Sequence, residues 1–189
     1  MSPCPDRCVV DTNVAMAADG RATASLECVL ACIDALRAVM EGGHLFVDDE
    51  WRIVTEYRRN LTRRGQPTAG TEFLKWVLTN QANAARCTLV PSTQRSGDPE
   101  DFAEFPAHPG LANFDPADRK FVAVAAAHAE QPPILQATDT KWRDWAGPLA
   151  DNGIRVHFVC DDHPTRAEGR PDRAATRSAS SRARRSRRR

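Results

Sequence analysis

With 189 residues and 41% apolar content, the chain is long enough for one substantial core and too short for two independent ones. No run approaches the roughly 18 to 20 apolar residues of a membrane-spanning helix. The segment before Asp11 also lacks the basic region and apolar stretch of about 7 to 15 residues that make a secretory signal, so the expectation is a cytoplasmic protein without a membrane partner. The formal charge of +1 conceals an asymmetry: residues 166–189 hold ten arginines against Glu168 and Asp172, leaving 16 basic and 23 acidic residues elsewhere. Such an acidic body is unusual for a binder of polyanions unless its carboxylates hold cations.

In chain order, Cys8-Val9-Val10 reads as a short buried strand delivering Asp11, Thr12 and Asn13 at its carboxyl end. Between residues 25 and 41, Leu26, Val29, Leu30, Ile33, Leu36 and Met40 follow helical spacing, and Gly42-Gly43 supplies the stop. A second strand is expected at 44–47. The next helix is marked by Trp51, Val54, Tyr57 and Leu61, with Arg58, Arg59, Arg63 and Arg64 on its polar side and Gly65-Gln66-Pro67 at its end. A third helix is expected over 71–84, a third strand over 87–90 and a loop over 91–114. Asp115 suits an N-cap, Pro116 the first helical position and Asp118 the third, opening an apolar helix that runs to residue 129. A fourth strand at 134–137 leads into Thr138-Asp139-Thr140, then a short Trp-containing helix and a fifth strand at 154–160.

Strands alternating with helices imply an α/β fold, in which a central parallel sheet is covered on both faces. Ligands of such sheets bind at the carboxyl ends of the strands, and Asp11 and Asp139 both stand there. The expected domain covers residues 1–163. Residues 164–189 offer nothing to bury and are expected to form a disordered Arg-rich tail.

Six cysteines, Cys4, Cys8, Cys28, Cys32, Cys87 and Cys160, include two C-x₃-C pairs. Cys28 and Cys32 fall on one face of a helix, and the expectation is buried, reduced thiols packing as small hydrophobes. The five histidines show no metal-ligand spacing, and the four tryptophans lie among apolar neighbours, as core or interface residues do.

Taken singly, Asp11, Asp118 and Asp139 are explicable as caps or as acids at helix starts, and Glu56 as the partner of Arg59 or Arg63. Converging on one edge, they would repel by about 4 kcal/mol per pair at 4 Å and an effective dielectric near 20, a cost that a divalent cation offsets. All-oxygen ligands favour Mg²⁺ or Mn²⁺, and the reaction class that fits is phosphodiester hydrolysis.

The same residues resemble the PIN-domain family. Val9-Val10-Asp11-Thr12-Asn13 is similar to its opening motif, Thr55-Glu56-Tyr57 to its second, the segment from Asp118 to Ala125 to its third, and Thr138-Asp139-Thr140-Lys141-Trp142 to its fourth. The resemblance, in order over residues 7–160, implies a three-layer α/β/α fold and a metal-dependent endoribonuclease like the toxins of bacterial toxin–antitoxin pairs. It also implies Asp11, Glu56, Asp118 and Asp139 as metal ligands and catalytic residues, supported by Thr12, Asn13 and Thr138. RNA is the expected substrate, with Arg58 and Arg59 near its phosphates and a cognate antitoxin or a second copy of the chain as partners. Lys141 stands where many members carry a further acid, which implies a thinner metal site or one that holds a single ion. Asp49 and Glu50 are the alternatives to Glu56, and Asp115 to Asp118. A non-catalytic nucleic-acid-binding module driven by the Arg-rich tail is the competing reading.

Overall fold

Short runs of buried residues build the sheet: β1 (Arg7–Val10), β2 (His44–Asp48), β3 (Cys87–Val90), β4 (Ile134–Gln136) and β5 (Val156–Phe158). They pair in parallel in the order β3-β2-β1-β4-β5. The computed structural model describes residues 4–21, 24–61, 66–95 and 97–160. The Arg-rich tail, Arg63, Arg64 and Gly65 lie outside the described residues. No described helix is long and apolar enough to cross a membrane.

Among the described residues six helices fill the connections: α1 (Thr12–Ala18), α2 (Leu26–Glu41), α3 (Arg52–Leu61), α4 (Ala69–Asn80), α5 (Arg119–Ala127) and α6 (Lys141–Ala150). The chain steps outward from β1 through β2 to β3, then returns across β1 to β4 and β5. Right-handed crossovers therefore put α1–α4 on one face and α5 and α6 on the other, giving the α/β fold with its central parallel sheet. The helices of the first group pack on one another. Gly70 permits a close approach of α4 to α1, because a Cβ at that position would lie 2.9 Å from the Ala15 carbonyl and 2.8 Å from the Asp19 carboxylate.

The core runs along the sheet through Val9, Val10, Leu45, Phe46, Val47, Ile134 and Leu135, all without exposure. Two features differ from the sequence reading. Helix α1 begins directly after β1 and is buried on nearly every side, through Thr12, Val14, Ala15, Ala17 and Ala18. A seven-residue segment without a polar face leaves no periodicity to detect. Second, Cys28 is not a free thiol: it is disulfide-bonded to Cys160, with Cα atoms 5.0 Å apart. The partners are 132 residues apart in sequence, and only the fold brings the first turn of α2 beside the chain leaving β5. Cys32 remains a buried thiol on the same face, as expected.

Candidate active site

The strand order reverses direction at β1, flanked by β2 and β4, and the crevice at this switch point lies beyond the carboxyl ends of β1 and β4. Asp11 occupies it. The residue is 4% exposed and caps α1, its Oδ1 accepting from the Asn13 amide at 2.9 Å. Its Oδ2 accepts from the Gln136 side-chain amide at 3.0 Å. The Asn13 side-chain oxygen in turn accepts from the Ala137 backbone N–H at 3.0 Å. Asn13 and Gln136 thereby tie the end of β1 to the end of β4. Gln136, the last residue of β4 and fully buried, was missed by the sequence reading because a strand-terminal glutamine carries no motif. Thr12 is buried beside Asp11, and its Oγ1 has no hydrogen-bond partner among the described residues.

Asp118 reaches the crevice from the other side of the sheet. Asp115 caps a single tight turn over Pro116–Asp118, its Oδ1 accepting from the Ala117 amide at 3.1 Å, and α5 starts only at Arg119. Asp118 thus sits at the junction rather than inside the first turn of a continuous helix, and its side chain makes no cap. Instead its Oδ2 accepts from the Trp142 indole N–H at 3.2 Å. Trp142 is fully buried and packs edge-on against Phe114, which fixes the direction of that hydrogen bond.

Glu56 projects from α3. Its ion-pair partner among the described residues is not Arg59 but Lys120, whose Nζ lies 2.6 Å from its Oε2; Arg63, the other expected partner, lies outside the described residues. That ammonium also donates to the Ala117 carbonyl, and Lys120 is 9% exposed. Asp139 is half-buried and its Oδ1 accepts from the Lys141 amide at 3.0 Å, a local turn. Thr138 is half-buried next to it. Lys141 points away to Asp115, 3.6 Å from its Oδ2. Of the alternatives to Glu56, Asp49 is exposed and Glu50 is exposed and loosely paired with Arg52; α3 is capped by Asp48 through the Arg52 and Ile53 amides. Arg58 and Arg59 are exposed on α3. Arg59, Glu56, Lys120, Thr55 and Arg52 line an open cavity of about 420 Å³ alongside the acids.

The carboxyl groups act on one another. Burial holds the Asp11 carboxyl well above its ordinary range, and the charges of Asp118 and Glu56 push the same way, against the Asn13 amide and the Lys120 ammonium. Burial, followed by the charge of Asp115, raises Asp118 to about 6, with Asp139 adding to the rise and Lys120 and the Trp142 indole opposing it. Capping alone does not account for this arrangement, because one carboxylate oxygen satisfies a helix cap and a second buried acid beside it only adds repulsion.

In donor chemistry the acids suit a hard divalent cation. In spacing they form an open set. Among the described residues, the trio of acidic, His or Cys ligand atoms lying within 4.8 Å of one another is a cysteine group rather than these carboxylates. Lys120 provides positive charge at Glu56, so a cation shared by the acids requires them to draw together and that ammonium to yield. Comparison of the chain with family models, with curated proteins and with solved structures returns no match.

Proposed function

We propose that this protein is an endoribonuclease that hydrolyses RNA phosphodiester bonds with Mg²⁺ or Mn²⁺ held by Asp11, Glu56, Asp118 and Asp139. The observation that carries the reading is the buried Asp11 carboxyl at the switch point, subject to the charge of both Asp118 and Glu56. The ordered resemblance to PIN-domain proteins supports it. These carboxylates would hold the divalent cation, which would supply positive charge for the scissile phosphate and lower the pKa of a bound water.

The chain's own residues hold the constellation. Asn13 and Gln136 orient Asp11 from two strands, and Trp142 aims Asp118. Lys120 holds a positive charge against Glu56, and its ammonium would be a donor for phosphate oxygens. Arg58 and Arg59, exposed on α3, meet the RNA backbone. An antitoxin covering the acidic edge belongs to the same reading.

The test is cleavage of a mixed RNA pool with Mn²⁺, with and without a chelator, by the parent and by Asp11→Asn. The substitution is nearly isosteric and removes a ligand charge, so the rate is expected to fall by more than about tenfold at an unchanged circular dichroism spectrum. Parental cleavage by the variant, or cleavage indifferent to chelation, sinks the assignment.

A further inference from the structure

Away from the carboxylates, three sulfurs gather in one buried patch. Cys28 and Cys32 lie one turn apart on α2 and Cys160 follows β5, with exposures of 1%, 0% and 2%. Their Sγ atoms all lie within 4.8 Å of one another. Cys28 and Cys160 share the disulfide, and the thiol of Cys32 stands 3.7 Å from the Cys160 sulfur. Tetrahedral zinc with Zn–S bonds of about 2.3 Å has sulfur–sulfur edges of about 3.8 Å. We propose that Cys28, Cys32 and Cys160 form a soft-metal site of the zinc class, opened when a dithiol reductant cleaves the Cys28–Cys160 bond.

The chemistry balances. The dithiol gives two electrons and two protons to the Cys28–Cys160 disulfide and closes to its own disulfide, leaving three thiols in the patch. A Zn²⁺ ion then replaces up to three thiol protons, which pass to solvent.

A third sulfur, the buried thiol of Cys32, is more than a structural disulfide requires. A thiophilic cation deprotonates such a thiol on binding. The site is independent of the nuclease reading, since soft thiolates and hard carboxylates select different ions.

The full-length chain, reduced with a phosphine so that no added thiolate competes, is titrated anaerobically with Co²⁺. A sulfur-to-cobalt charge-transfer band should saturate at about one equivalent and be displaced by Zn²⁺. Cys32→Ser should lose the band, whereas Cys87→Ala, at a buried cysteine of β3 outside the patch, should keep it. X-ray absorption of the zinc-loaded parent provides the arm that needs no variant. Three or four sulfurs at about 2.3 Å support the site, and a shell of oxygen or nitrogen at about 2.0 Å overturns it. Absence of the band in the reduced parent, or its full retention in a folded Cys32→Ser protein, overturns it equally.

Discussion

At the scale of single residues, the site is governed by where carboxyl groups are forced to lie. Asp118 is raised from 3.8 to about 6, chiefly by burial, so between these values the folded chain binds a proton that the unfolded chain has released. Stability therefore falls as pH rises through this window, by on the order of 3 kcal/mol if the whole shift is realised. Below the unfolded value the penalty vanishes, and above about 6 it is fully present. A cation competes with the same proton. The buried Asp11, also held above its ordinary range, competes in the same way, so the Mn²⁺-induced rise in melting temperature should be smaller at pH 5 than at pH 7. In Asp118→Asn the share of that pH dependence lying between 3.8 and about 6 should be lost. An equal Mn²⁺ shift at both pH values in the parent would remove Asp118 from the proposed ligand set.

Between elements, the bridge from Lys120 on α5 to Glu56 on α3 joins helices that approach the crevice from different connections. The bridge is short, 2.6 Å, and Lys120 is nearly buried, so its loss leaves Glu56 facing Asp11 uncompensated. Lys120→Met preserves the apolar stem and removes the charge. Without added metal, the variant should be less stable by roughly 1 to 3 kcal/mol, below the range for fully buried pairs because Glu56 keeps some solvent. With the competing ammonium gone, the Mn²⁺-induced rise in melting temperature should exceed the parental one. A smaller rise would mean that Lys120 helps to assemble the cation site rather than competing for it. Neither helix announces this bridge in sequence, since residues 56 and 120 share no local pattern. What was legible was periodic or terminal: α2, the strands, and the strand-end position of Asp11, each marked by a local change from apolar to polar residues. Helix α1 escaped because it has no polar face, and the break at Asp118 because a tight turn and a helical first turn have similar residue preferences. Gln136 and Cys160 acquire their roles only from partners more than 100 residues away.

Over the whole molecule, charge divides between an acidic body and an Arg-rich tail. The body contributes 23 acidic and 16 basic residues and the tail ten arginines against two acids, so the body alone repels a polyanion at long range and the tail supplies the attraction. Capture and chemistry should then separate. Truncation after Thr165 removes all ten arginines while retaining every proposed metal ligand. Every phosphate that an arginine no longer neutralises lowers the slope of log affinity against log salt by about 0.7 for single strands, so binding of a labelled RNA should weaken at low salt and its salt dependence should flatten. Turnover at saturating RNA should persist, because the carboxylates all precede the cut. Superimposable binding curves for the two proteins would deny the tail any part in capture. Loss of saturated turnover would place it in the active site instead, and an RNA affinity unaffected by Asp11→Asn but abolished by truncation, in a protein without nuclease activity, would favour the tail-driven binding module over the enzyme.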